Sequence, residues 1–191
     1  MPTWMGLPNK HRNGRGVRMR PMRSSWKKTA YLGVFLAIAL VCSYIETLIP
    51  FHFGIPGVKL GLTNLVVVLV LYGIGAKEAF GISVLRILIT GILFGNVFSI
   101  LYSFSGGILS FLAMLLLKKT NKLGCVSVSV AGGISHNIGQ LLVAAMIVQN
   151  FHIFFYIPVL LLSGLLTGFL IGILAQELLI RLSFFFNKRN K

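Results

Sequence analysis

The sequence predicts an all-α integral membrane protein, a bundle of six transmembrane helices. First, 56% of its 191 residues are hydrophobic, and the mean hydropathy is +0.88. Second, only 11% of the residues are charged, against about 25% in average soluble domains. Third, the apolar residues fall into six runs, and about 20 such residues are needed to cross a bilayer. So few charges exclude a soluble globular fold.

The six runs alternate with short polar or glycine-containing connections. They cover residues 29–49, 60–74, 76–94, 97–117, 126–148 and 154–182. The second run is the shortest, and Gly73 and Gly75 separate it from the third. The sixth is long enough to tilt in the bilayer or to project from it.

Positive charge predicts the orientation of these spans. Lys and Arg number 18 and acidic residues 3, and cytoplasmic loops are rich in Lys and Arg. With six spans and both termini in the cytoplasm, all positive residues except Lys59 and Arg86 lie on the cytoplasmic side. The excess of positive residues therefore indicates how the chain is oriented in the cell membrane. We expect no nucleic-acid partner.

The same reasoning divides the chain into three parts. Residues 1–25 are predicted to form a basic, disordered cytoplasmic tail on anionic lipid. Residues 26–183 form the six-helix membrane domain, and residues 184–191 a second basic cytoplasmic tail. Cys42 and Cys125 each lie in an apolar run, so we expect neither a disulfide framework nor a cysteine metal site.

Arg86 is the most costly residue inside a span. It lies ten residues beyond Ala76, which is ~15 Å along a helix and close to the bilayer midplane. A central Arg costs ~2.5–3.5 kcal/mol on insertion scales, so it needs a structural or functional reason. It either anchors an anionic substrate group, or pairs internally with Glu46 or with exposed carbonyl groups.

The fifth run carries three hydrogen-bonding side chains at nearly the same depth. His136 and Gln140 share one helix face at spacing i, i+4, and Asn137 lies on the adjoining edge. They either face a ligand or join helices, as amides do in membranes. No second His shares that face, so we expect no metal site.

Further polar residues occupy the outer halves of the other spans, whereas the inner halves are almost purely apolar. The residues in question are Glu46, Asn64, Asn96 and Ser103. Their shared depth predicts a substrate pocket that opens outward, whereas a through pore would need polar lining at both ends. Lys59 lies near the mouth of that pocket, in the 54–61 loop. This loop is either a lid or a tight connection.

Small residues at spacing four predict close helix contacts. On the sixth span Gly164, Gly168 and Gly172 are expected to pack within the bundle. On the first span Gly33 and Ala37 either pack within the bundle or dock against a partner membrane protein.

Several motifs in a fixed order carry a resemblance to a known family. They are E-T-L-I-P at 46–50, P-G-V-K-L-G-L-T-N at 56–64, Arg86 with G-x-x-x-G at 91–95, S-x-x-G-G at 103–107 and H-N-I-G-Q at 136–140. Over residues 28–182 the chain resembles the Gx transporter proteins, which are also labelled heptaprenyl diphosphate synthase component I. That family is similar to the substrate-binding S-components of energy-coupling-factor (ECF) transporters.

The resemblance implies six helices, a pocket near the external face with a first-loop lid, and docking of the 33–37 face on a transmembrane coupling protein that works with two ATPases. The usual small pair on that face is Ala-x-x-x-Ala, and here the first residue is Gly33.

The synthase label can be compared with the chemistry that the chain offers. Prenyl elongation holds diphosphate through Mg²⁺ bound by aspartate-rich motifs, and the chain has no Asp. It also lacks a G-x-x-x-x-G-K-[ST] loop for ATP. We therefore expect neither an enzyme nor a bound cofactor.

Two functions and a structural role remain open at this point. The leading hypothesis is a substrate-binding subunit of an ECF-type importer for a small molecule. The alternative is the non-catalytic membrane component of a heptaprenyl or polyprenyl diphosphate synthase in isoprenoid quinone biosynthesis, and a purely structural membrane scaffold is the third. The residues expected to bind substrate are Glu46, Lys59, Asn64, Arg86, Asn96, Ser103, His136, Asn137 and Gln140.

Overall fold

The computed structural model describes residues 25–48, 61–149 and 151–188, and within these ranges the chain is helical with short connections and no strand. The α-helices are α1 Ser25–Leu48, α2 Leu62–Gly73, α3 Ala76–Phe94, α4 Val97–Lys119, α5 Cys125–Val148 and α6 Ile157–Lys188. A 3₁₀ helix, Phe151–Tyr156, precedes α6. Each predicted run thus contains one of these helices, and α6 continues past residue 182 to Lys188.

The chain is a membrane protein. Four helical segments are long and apolar enough to cross a bilayer: Lys28–Leu48, Val97–Lys119, Cys125–Val148 and His152–Leu182. Large apolar side chains such as those of Val41, Leu116 and Leu170 are exposed along them, as suits helices that face lipid rather than water. Among the described helices, α2 is shorter than these four, and α3 carries Lys77, Glu78 and Arg86.

Helix α2 is short because it lies inside the bundle. It contacts α1, α3, α5 and α6, and Val66 through Leu71 are all buried. A helix that is hydrophobic all round is a buried one. Because neighbouring helices shield its ends, α2 does not need the full length of a lipid-exposed span.

Glycines bring α5 and α6 into backbone contact. A Cβ atom added to Gly133 would lie 2.4 Å from the carbonyl oxygen of Gly164, and one added to Gly168 would lie 2.7 Å from the Cα of Val130. Gly172 lies equally close to Val126. The prediction that Gly164, Gly168 and Gly172 pack within the bundle is confirmed.

Gly33 and Ala37 differ from these glycines. A Cβ atom on Gly33 would meet no atom of the described residues within 4 Å, and Ala37 is exposed. Within the described part of the chain, this face of α1 therefore does not pack against the bundle.

The apolar core fills one end of the bundle. It contains the second half of α2, the beginnings of α3 and α5, and the ends of α4 and α6. Two polar contacts close this end: Lys28 pairs with Glu78, and Lys118 donates to the carbonyl oxygen of Leu71. Neighbouring helices thus alternate in direction, and the polar residues of the predicted pocket lie toward the other end.

Candidate functional site

A polar cavity lies between the helices, beyond the apolar core. Its empty volume, counted to the open mouth, is about 450 Å³. Residues from all six helices and from the position before α2 line it: Glu46, Gly61, Thr63, Asn64, Arg86, Ser103, Gly133, His136, Asn137, Gln140 and Thr167. Seven of the nine residues expected to bind substrate are therefore brought together here.

Arg86 forms part of the wall contributed by α3. The residue keeps only 9% of its surface exposed, and its Nε atom has no hydrogen-bond partner. Within the described residues, the ion pairs shorter than 4 Å join Lys28 to Glu78 and Arg181 to Glu177. Arg86 thus has no counterion in contact, and the predicted internal pair with Glu46 does not form at that distance.

Glu46 shares the cavity, but its carboxylate is engaged at the start of α2. The backbone N–H of Leu62 donates to Oε1, and the Thr63 hydroxyl donates to Oε2 at 3.3 Å. Gly61, in the N-cap position with φ +70°, has no side chain to offer. Because a carboxylate stabilises the positive end of a helix, Glu46 caps α2 from a different helix.

On α5, the amides of Asn137 and Gln140 differ in their contacts. Asn137 Nδ2 donates to the carbonyl oxygen of Leu160 at 2.7 Å, which joins α5 to α6. Gln140 is 1% exposed, and neither Oε1 nor Nε2 has a partner within the described part of the chain. Asn137 therefore serves helix packing as well as the cavity wall, whereas Gln140 has no such structural bond.

Gly106 on α4 gives the α5 side chains their space. A Cβ atom there would lie 2.7 Å from Cγ of Gln140 and 3.0 Å from Cε1 of His136. Nearby, the hydroxyl of Ser105 donates to the carbonyl oxygen of Gly139 at 2.7 Å. The S-x-x-G-G motif thus holds α4 against the polar face of α5.

Of the remaining two expected site residues, Asn96 does not line the cavity and Lys59 cannot be placed. Asn96 is exposed and caps α4, because its Oδ1 accepts a hydrogen bond of 2.8 Å from the N–H of Ser99. The structure thus gives Asn96 a helix-capping role in place of the expected pocket position. Lys59 lies outside the described residues, as does most of the 54–61 loop.

Four cavity residues were not among those expected to bind substrate. Thr63 lies at the predicted start of the second span, and its hydroxyl is also 3.1 Å from that of Ser43. Gly61 and Gly133 contribute backbone. Thr167 follows Gly164 by three positions, so the glycine spacing on α6 was the available signal that this face points inward.

The cavity is suited to bind a small polar molecule. It combines one guanidinium, one carboxylate that is already engaged, three amides, three hydroxyls and an imidazole. Such directional groups in a largely apolar surrounding fix the orientation of a ligand.

The comparison with known families agrees with the resemblance. The family model described as heptaprenyl diphosphate synthase component I matches residues 35–178, which include every residue of the cavity. The chain belongs to this family. No curated protein and no solved structure matches the chain. The description of the family refers to a component of a synthase. The cavity and its lining residues, in contrast, are observed in the structure of this chain.

Proposed function

We propose that this component I family member is the membrane-embedded binding subunit of an ECF-type importer, and that its cavity captures a small anionic molecule. The observation that carries the proposal is Arg86, a buried guanidinium on the cavity wall that no counterion contacts in the part of the chain that the structure describes.

The electrostatic argument starts from the cost of a buried charge. A buried charge left without its partner costs about 3–5 kcal/mol. The one acidic side chain in the cavity, Glu46, is bonded to the start of α2. Its charge is therefore offset by the helix dipole. An anionic ligand group beside Arg86 would supply the missing counterion.

The proposal includes six spans in the cell membrane, both termini in the cytoplasm and a cavity that opens outward. Lys77, Lys118, Lys119 and Lys122 lie at the core end of the bundle, and positive residues favour the cytoplasmic side. The cavity then lies nearer the external side. Reagents that modify cysteine but do not cross membranes should label Gln149→Cys and should not label Lys122→Cys in intact cells.

Transport needs partners, because we propose that this chain neither hydrolyses ATP nor catalyses a reaction. A transmembrane coupling protein and ATPase subunits would supply the energy. The face around Gly33 and Ala37 supports such docking, since no described helix covers it. Small residues on an open face allow the close approach of a partner helix.

The family name favours a second candidate function. The chain would be the non-catalytic membrane component of a heptaprenyl diphosphate synthase, and Arg86 would contact a diphosphate group. Purification from the native membrane separates the two candidates. Coupling and ATPase subunits in the purified complex favour transport, and a soluble prenyl synthase favours the second function.

The experiment that tests anion capture compares wild type with Arg86→Gln. Small molecules retained after gentle detergent purification are identified by mass spectrometry. We expect an anion in wild type and at least a tenfold loss in Arg86→Gln, because about 1.4 kcal/mol of lost interaction is a factor of ten.

The matched control is Arg181→Gln, which removes an exposed arginine from α6 and should retain the anion. Arg86→Gln should unfold no more easily than wild type, because it removes an uncompensated buried charge. Equal retention of the anion in both variants would contradict the proposal. A variant that loses the anion only because it unfolds would support a structural role for Arg86.

A further inference from the structure

We propose that the anion captured by this cavity also carries a cis-amide edge, the adjacent N–H and C=O of a lactam, imide or ureide, and that Gln140 reads this edge. The inference rests on the proposed function, since it adds a second recognition element to the same cavity.

The first observation concerns the two polar atoms of the Gln140 side chain. Both are buried, and both lack a hydrogen-bond partner in the described ranges. A buried polar group without a partner is destabilising, and no bulk water is present in a bilayer to replace the missing bonds.

The second observation is that the amide is held in place. Gly106 leaves room for Cγ of Gln140 and for the His136 ring, and any larger residue would displace them. Gln140 is among the largest fully buried side chains of the described chain. A side chain with so little free space keeps few rotamers, and Gln140 also lines the cavity, which favours specific recognition over adaptable packing.

The chemistry of a primary amide then selects the ligand class. Its C=O accepts and its NH₂ donates, so a cis-amide group satisfies both atoms through two parallel hydrogen bonds. An ionised carboxylate offers acceptors only and leaves Oε1 of Gln140 unpaired. Arg86 and Gln140 thus have different tasks: the guanidinium selects the negative charge, and the amide selects the edge beside it.

Three small probes separate these two tasks. Pyroglutamate has a five-membered lactam ring and a carboxylate, cyclopentanecarboxylate keeps the ring and the carboxylate without the lactam, and pyrrolidinone keeps the lactam without the carboxylate. The full chain in lipid nanodiscs is titrated with each probe by calorimetry. We expect pyroglutamate to bind about tenfold more tightly than cyclopentanecarboxylate, and pyrrolidinone to bind most weakly.

Two variants assign the selectivity to residues. In Gln140→Met, which keeps the side-chain volume, pyroglutamate and cyclopentanecarboxylate should bind equally. In Arg86→Gln, both carboxylates should lose affinity and the lactam should not. Gln140→Met should be at least as stable as wild type, because the substitution removes an unsatisfied amide. If Gln140→Met fails to fold, the order of the three probes on wild type still decides the question.

Each outcome has a separate meaning. Equal binding of the two carboxylates to wild type overturns the cis-amide inference and leaves anion capture standing. A lactam preference that persists in folded Gln140→Met also overturns the role of Gln140. If neither carboxylate binds at millimolar concentration, anion capture fails and the inference fails with it.

Discussion

The two halves of the bundle hold together by different means. Helices α4, α5 and α6 meet at glycines: the backbones of α5 and α6 are in close contact at Gly133 and Gly164, and those of α4 and α5 at Gly106 and Gly139. Helices α1, α2 and α3 instead meet through side chains and charges, such as the bond from Glu46 to the start of α2 and the pair of Lys28 with Glu78.

The difference shows where the cavity can form and change shape. Backbone contact at glycines leaves no free volume and fixes α4 to α6 as one packed unit. Side-chain contacts leave space between helices and can be exchanged for contacts with a ligand. The cavity lies where the two halves face each other, with Arg86 on one side and Gln140 on the other.

The largest loss of stability is expected from a substitution in the half formed by α4, α5 and α6. Gly133→Ala places a Cβ atom 2.4 Å from the Gly164 carbonyl oxygen, and a backbone atom cannot move aside as a side chain can. We expect a loss of about 3 kcal/mol in the free energy of unfolding, measured by denaturant titration in detergent micelles.

The control for this substitution is Gly81→Ala on α3, where a Cβ atom would meet nothing within 4 Å. It should be neutral or slightly stabilising, because Ala favours a helix more than Gly does. Equal losses for both substitutions would show that the two halves do not differ in packing.

A smaller effect is expected in the other half from Glu46→Ala. The substitution removes the acceptor for the Leu62 N–H and the Thr63 hydroxyl, so α2 loses its cap. We expect about 1–2 kcal/mol of destabilisation in the same titration. Glu177→Ala, which removes an exposed carboxylate on α6, should change stability little. If Glu46→Ala and Glu177→Ala had the same free energy of unfolding, the bonds of Glu46 to the start of α2 would not stabilise the fold.

The smallest expected effect is that of Ser105→Ala between α4 and α5. It removes the hydrogen bond to the Gly139 carbonyl oxygen, and such bonds between membrane helices average about 0.6 kcal/mol. Ser127→Ala, at an exposed site on α5, serves as the control. A loss as large as that of Gly133→Ala would mean that polar bonds rather than close packing hold this half.

Sequence patterns were sufficient to predict the helices and to single out most of the polar residues that line the cavity. The apolar runs predict each helix, because hydrophobic length and helical period are local properties. Arg86 and the 136–140 motif could be proposed as candidate site residues because polar groups are costly in a membrane. Asn96 is also predicted to lie in the outer half of a span, yet it caps α4, and its position along a span does not separate a helix cap from a ligand contact.

The order of residues therefore predicts a membrane bundle and the sequence positions of its helices. It also predicts one arginine inside a span and a polar end of the bundle. The tertiary structure determines which hydrogen-bond and ion-pair partners each polar side chain has. The packing of the helices engages Glu46 at α2 and Asn137 at Leu160. Among the described residues it leaves Arg86 without a counterion in contact and Gln140 without a hydrogen-bond partner. The physical reason is that a hydrogen bond depends on distances of a few tenths of an ångström between helices. Those distances follow from how glycines and side chains pack together, and residue order alone does not contain them.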